Sequence, residues 1–365
     1  MKRESFRNNM ILFGSMVVMA GMLFGYALPD QEVSVSERRQ LAKMPKLSVS
    51  NILSGEYMKG IESYVSDHIP GREIFKKVYT FANQYLFGRE EINGYVQKEN
   101  AIYRMEEELS TECVSRNARY FENIRQTYFP DNPCYYAVIP DKNYYLDIPC
   151  GYQRFDYEKQ VALLDTELNA KYIVLQDCLD LGSYYRTDLH WRQEYLEPVK
   201  NRLLQELDNF GGSSLTYTQQ LVTDSFAGSY LLPSGYRVTP DNLICLNYHT
   251  LQQVTVWDYE KKNYMPVYTM ERVGEGDDYD VFLGGAKALL TLENEQSTSD
   301  KELIIFRDSY TSSLAPLLID SYRKITLVDV RYTRPDYALN QIDWTEETQL
   351  LFLYQAMTLN GNVFR

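Results

Sequence analysis

Five short apolar runs, each about one buried strand long, set the limits on what this chain can fold into. They occupy residues 134–139, 172–175, 303–306, 325–328 and 350–353. None keeps a strict polar–apolar alternation, so each suits a strand covered on both faces better than one with a wet face. Helical patterns separate them, as at residues 158–168, and strands alternating with helices point to an α/β domain with a mostly parallel sheet flanked by helices. That domain is expected over residues 129–365. Between about 211 and 280 the texture changes: Gly, Ser and Thr cluster, and residues 254–257 and 265–268 read as short antiparallel strands. A small β-rich insertion is expected there.

Residues 29–128 read as a mostly helical N-terminal region. Ile74, Phe75, Val78, Phe81, Ala82, Tyr85 and Leu86 recur at helical spacing and stop at Gly88. A second helix is expected from Cys113 to about Tyr128. His68, beside Asp67 and Arg72, suits a turn satisfied by polar side chains. At the extreme N-terminus Lys2, Arg3 and Arg7 precede an uncharged, largely apolar run over residues 10–28. Its 19 residues approach the ~20 that span a bilayer as a helix. Basic residues on its N-terminal side would leave the body of the chain outside the cytoplasm. A secretory signal cleaved near Gly25-Tyr26-Ala27 gives the same placement, but the length of the run favours a single-pass anchor.

Charge and cysteine usage exclude several classes. The net charge is −13 and basic residues do not cluster beyond the N-terminus, so nucleic acid is a poor partner. Five cysteines form no C-x-x-C pair and no ligand-spaced group with the histidines, so neither a metal nor another cofactor is called for. Cys134 and Cys150 flank a strand and loop, but ordinary thiols are the better reading. The 32 tyrosines suit either a carbohydrate-contacting groove or half-buried surface.

The chemistry concentrates in two stretches. Only three histidines are present, His68, His190 and His249, and His190 alone lies within Asp188-Leu189-His190-Trp191. Side chains at i and i+2 diverge on a helix, so Asp188 can orient the imidazole only from a loop or extended segment. Trp191 would pack beneath that loop. Far downstream, Ser309 follows the apolar run 303–306 and precedes a helical pattern, which places it at the carboxyl edge of a sheet. Ser309 as nucleophile, His190 as base and Asp188 as orienter form a relay, with helix N-terminal N–H groups near an oxyanion. Capping roles for Asp308 and Ser309 are the alternative.

The two stretches together resemble the DHHW family, relatives of the alginate O-acetyltransferases. The likeness runs in order through Ser36-Glu37, Leu41-Ala42, Pro45, Ser54-Gly55-Glu56-Tyr57, Asp67, Pro70 and Arg72. It continues through Pro140-Asp141-Lys142-Asn143, residues 185–191, Phe226-Ala227-Gly228-Ser229, Phe282-Leu283-Gly284-Gly285, Arg307-Asp308-Ser309-Tyr310 and residues 328–332. It implies an SGNH-hydrolase-like, flavodoxin-like fold in which Ser309, His190 and Asp188 form the triad. It also implies acetyl transfer to a cell-envelope or exported polysaccharide, supplied by a membrane-bound O-acyltransferase. Arg331 would hold an anionic substrate or intermediate, Gly228 would give an oxyanion N–H, and Tyr310 and Trp191 would frame the site. Two positions depart from the family pattern. Leu189 stands where the first histidine of Asp-His-His-Trp belongs, and Ala286 replaces an asparagine after Gly284-Gly285. The same triad would also serve a carbohydrate acetylesterase. A non-catalytic polysaccharide-binding or assembly protein on a decayed fold is the third reading.

Overall fold

A computed structural model describes residues 32–34, 39–146, 154–209, 215–297 and 299–364, with Met16 alone from the first 31 residues. The apolar run expected to anchor the chain, apart from Met16, and Cys150 lie outside the described residues. Among the described residues no helix is long and apolar enough to cross a membrane. The chain forms two compact units, one of residues 1–93 with 231–237, the other of 94–230 with 238–365.

The first unit is helical: α1 (Val49–Leu53), α2 (Glu56–Asp67) and α3 (Arg72–Phe81), the last running into a π-helical turn at Ala82–Leu86. Ser48 caps α1 by accepting the N–H of Asn51. Gly71, at φ 73°, supplies the left-handed residue that starts α3.

In the second unit a hairpin, β1 (Tyr95–Lys98) and β2 (Ala101–Arg104), precedes helix α4 (Thr111–Tyr128). The sheet is then built from β3 (Cys134–Ile139), α5 (Tyr157–Glu167), the two-residue β4 (Lys171–Tyr172) and α6 (Glu197–Glu206). A separate antiparallel pair follows, β5 (Thr218–Phe226) with β6 (Asp241–Asn247). Next come β7 (Thr255–Asp258), β8 (Asn263–Met265), β9 (Leu289–Glu293) and β10 (Glu302–Arg307). The chain closes with α7 (Thr311–Leu318), β11 (Lys324–Val328) and β12 (Gln349–Gln355).

Eight strands make one mixed sheet in the order β8-β7-β9-β11-β10-β12-β3-β4. The five from β11 to β4 run parallel and the three at the other edge are antiparallel. Numbered by sequence, the parallel strands run 2-1-5-3-4, whereas a flavodoxin-like sheet runs 2-1-3-4-5, because β12 inserts between β3 and β10. β7 and β8, expected in an insertion, extend the main sheet instead, and of residues 172–175 only Tyr172 is in a strand.

Successive residues of the central strands point to opposite faces, and both faces are covered, which is why their sequences are apolar without a break. Ile139, Leu303, Ile305, Leu351 and Leu353 meet α6 and α7 through Val199, Leu203, Leu314 and Leu318. Val138, Ile304, Phe306, Leu350 and Phe352 meet α4 and α5 through Val114, Phe121 and Leu164. Each such side chain contributes about 1.5–3 kcal/mol by leaving water, and the double layer holds the strand ends rigid where the polar residues emerge.

Candidate active site

Three adjacent strands end in polar residues that bond to one another across the carboxyl edge of the sheet. Asp308, just past β10, accepts the N–H of Gln355 at 2.8 Å and that of Tyr310 at 3.2 Å. The Gln355 side chain donates to Asp141, just past β3, at 3.1 Å. Between Asp308 and the start of α7, Ser309 is left partly exposed at the turn. Asp308 thus spans the turn and fixes its shape.

The Asp-x-His segment is a loop clamped at its base, where Tyr184 and Trp191 form an isolated antiparallel bridge. Within it Asp188 Oδ1 accepts both the N–H of His190, at 2.9 Å, and ring nitrogen Nδ1, at 2.6 Å. Asp188 Oδ2 accepts the Ser229 N–H at 2.6 Å. The other ring nitrogen, Nε2, lies 2.8 Å from Ser309 Oγ. An i, i+2 pair meets here because the acid turns back onto its own backbone, which a helix would forbid. With Nδ1–H committed to a carboxylate, Nε2 is the acceptor facing the serine hydroxyl. The structure therefore brings Ser309, His190 and Asp188 together in the order a serine relay needs.

Aromatic packing sets the imidazole plane. The Tyr279 ring lies flat on His190, with centroids 3.9 Å apart and planes 10° from parallel. Its hydroxyl donates to Ser313 Oγ at 2.9 Å. Trp191 is buried and donates Nε1–H to the Tyr310 carbonyl at 2.9 Å and to Ser313 Oγ at 3.0 Å. Tyr310 donates to the Leu189 carbonyl at 2.7 Å. Burial pushes both the Tyr279 and Tyr310 hydroxyls well above their ordinary range, so they stay protonated donors. Trp191 and Tyr310 thus tie the histidine loop to the helix that follows the serine.

Gly228 takes a different place from the one expected. Its N–H donates to Thr187 Oγ1 at 3.0 Å, so it is not turned toward an oxyanion. A Cβ there would stand 2.4 Å from Asp188 Cβ and from the Thr187 carbonyl oxygen. The glycine is required by close approach to the Thr187 carbonyl and the Asp188 Cβ. Among the described residues the N–H of Ser309 itself has no protein acceptor.

Arg331 is bound to Asp329, with Nε at 2.8 Å and Nη2 at 2.6 Å from its carboxylate oxygens, at the end of the neighbouring strand β11. This pair satisfies one edge of the guanidinium. Leu189, where the family has histidine, packs partly buried against the core, and Ala286 is exposed. His68 lies in the helical unit, with Nδ1 2.9 Å from the Tyr64 carbonyl.

Two residues absent from the sequence reading of the site hold its loop. Asp241, at the start of β6, accepts the N–H groups of Arg186 and Thr187, at 3.1 and 3.0 Å, and the Thr187 hydroxyl at 2.7 Å. Lys142 is buried beneath the loop, with Nζ 2.9 Å from the Asp188 carbonyl and 3.1 Å from that of Tyr185. Burial lowers its ammonium to about 8, and burial raises neighbouring Asp141 to about 6. Lys142 stood in the quoted Pro-Asp-Lys-Asn stretch, but nothing in its spacing points to a loop 40 residues on. Beside Leu189 a cleft of roughly 320 Å³ opens, lined in part by Arg104, Asp141, Tyr230 and Gln355.

No protein-family model matches the sequence, and no curated protein matches it. Solved structures do. A DHHW family protein from Eubacterium siraeum superposes with a TM-score of 0.61 at 19% identity, covering 74% of this chain and 94% of its own. Bacillus cereus PatB1 superposes at 0.58 and 16% identity, covering 74% of this chain and 98% of its own, and has also been solved with a sulfonyl adduct. The O-acetyltransferase domain of Pseudomonas putida AlgJ gives 0.45, too loose a superposition to carry weight. Over about three-quarters of its length, this chain has the fold of the Eubacterium siraeum DHHW family protein and of PatB1.

Proposed function

We propose that this chain is an extracytoplasmic O-acetyltransferase of SGNH-hydrolase type that acetylates a cell-envelope or exported polysaccharide. One observation carries the reading: His190 lies between Asp188 and Ser309, 2.6 Å from the acid and 2.8 Å from the hydroxyl. The fold shared with a DHHW family protein supports it, as do the sequence motifs that resemble that family.

In the first half-reaction Ser309 Oγ attacks the carbonyl carbon of an acetyl donor while His190 Nε2 takes its proton. Asp188 stabilises the imidazolium so formed. The Ser309 N–H is the donor best placed for the tetrahedral oxyanion. As the donor's C–O bond breaks, His190 returns the proton to the leaving oxygen and acetyl-serine remains. In the second half a sugar hydroxyl attacks that ester, giving its proton to His190. Ser309 Oγ then leaves and is reprotonated. The acetyl donor is presented by a membrane-bound O-acyltransferase, and residues 10–28 hold the chain at the same bilayer.

The test uses the full chain in detergent with a chromogenic acetyl ester, with and without oligosaccharide acceptors. Wild type should release the chromophore and yield acetylated sugar by mass spectrometry, and Ser309→Ala and His190→Ala should do neither. Acetate release that ignores the sugar would make the protein an acetylesterase. Silence in the folded wild type, with Ser309 also inert to a sulfonyl fluoride, would sink catalysis and leave polysaccharide binding.

A further inference from the structure

Helix α3 and its π-helical extension are turned inside out. At 100° per residue Ile74, Val78 and Phe81 fall within about 60° of one another. That stripe, with Phe75, Tyr79, Tyr85, Leu86 and Phe87 beside or beyond it, is between 50% and 73% exposed. The face turned inward is polar. Thr80 and Asn83 are buried, at 1% and 6% exposure. The Thr80 hydroxyl donates to the Ser234 carbonyl at 3.0 Å, and a Cβ on Gly235 would stand 2.5 Å from that hydroxyl. A helix packed on its polar stripe leaves its hydrophobic stripe for something else, because a contiguous exposed apolar face of this size is otherwise an association hazard.

The surroundings narrow the occupant. A cleft of roughly 620 Å³ beside the helix is lined by Ile69, Phe75, Tyr79 and Pro233 together with Arg72 and Lys76. Asp67 lies 3.8 Å from Arg72, and Lys77 is exposed. Residues 72–87 hold three cations to one acid in a chain of net charge −13, so the apolar stripe is bordered by the charge that anionic headgroups attract. The helix begins 44 residues after the run read as a membrane anchor, within reach of the bilayer holding it.

We infer that α3 and its π-helical extension form a membrane-surface docking element, its aromatic and aliphatic stripe lying in the headgroup region of an anionic bilayer. This adds a second attachment to residues 10–28 and fixes the helical unit at the bilayer surface.

The full chain carrying Phe81→Trp, an exposed substitution, tests this in vesicles whose lipids have brominated acyl chains. The native Trp191, Trp257 and Trp344 supply a background measured on the parent chain. In phosphatidylglycerol vesicles the added indole emission should fall at least twofold relative to unbrominated lipid. It should fall less in phosphatidylcholine, and Lys76→Glu with Lys77→Glu should remove the difference between the two lipids. Equal emission in brominated and plain vesicles, with the chain shown to float with them, overturns the inference, as would failure to float. An indole shielded from iodide yet unquenched by bromine would also overturn it and show a protein surface on this face instead.

Discussion

The Asp241 carboxylate accepts from Thr187 twice, from its N–H at 3.0 Å and from its hydroxyl at 2.7 Å. Both groups are buried, and Thr187 directly precedes the acid that orients His190. Strand β6 therefore positions the relay without touching it. Asp241→Ala strips the acceptor from buried donors and should cost on the order of 3 kcal/mol of unfolding free energy. Turnover of an acetyl ester should fall on the order of 10²-fold through misplacement. Asp241→Asn, which keeps one acceptor oxygen, should lie between. Urea unfolding and steady-state kinetics on the same preparations check this, and full turnover by Asp241→Ala would show that the loop is held without it.

Asp188 is surrounded by donors on both sides, two from His190 on Oδ1 and the Ser229 N–H on Oδ2. An asparagine in either orientation sets an NH₂ group against one of them. Asp188→Asn should therefore favour the wrong imidazole tautomer and lower kcat on the order of 10⁴-fold. The measurement is single-turnover acetylation of Ser309. A loss below tenfold would mean that the carboxylate is not what orients His190.

Gly228 has no room for a side chain, and its φ is not in the left-handed region, so an added methyl acts through packing alone. Gly228→Ala should push on the Thr187 carbonyl and the Asp188 Cβ, costing about 1–3 kcal/mol and most of the activity. Gly276→Ala is the control, since a Cβ there meets nothing within 4 Å. If both variants melted and turned over like wild type, the close approach at Gly228 would have no consequence.

The parts of the fold legible in the sequence were those where burial leaves a one-dimensional trace. The runs at 134–139, 303–306 and 350–353 are covered on both faces and emerge as β3, β10 and β12. Pairing leaves no such trace. The run 254–257, expected as an antiparallel strand, emerges as β7 shifted by one residue, whereas of 265–268 only Met265 falls in β8, and nothing in either run says that β7 also pairs with β9. The β1–β2 hairpin was hidden for a different reason. Its turn residues Glu99 and Asn100 both take positive φ, 50° and 60°, where Asn-Gly or Asp-Gly is the usual signal. At the site, scarcity did the work: with three histidines, only His190 lay in an Asp-x-His-Trp segment. Asp241 and Tyr279 come from segments 51 and 89 residues downstream of it, and their roles exist only after folding.

Glu122 provides a pH-dependent term away from the site. Its carboxylate accepts from Arg125 Nη2 at 2.7 Å and Nε at 3.0 Å, and from the Asn169 N–H at 2.9 Å, joining α4 to the segment that leads into β4. The hydrogen bonds from Arg125 are the main reason its carboxyl sits at about 2, below the ordinary 4.5. The folded value is depressed, so the unfolded chain binds the proton first as pH falls. The stabilisation is fully present above about pH 4.5, declines below that, and is gone near pH 2. Glu122→Gln should therefore melt below wild type at pH 7, and the gap should close progressively between pH 4.5 and pH 2. Thermal unfolding of both proteins across that range measures it. A gap that stayed constant down to pH 2 would mean that Glu122 acts through shape and neutral hydrogen bonding, with no contribution from its charge.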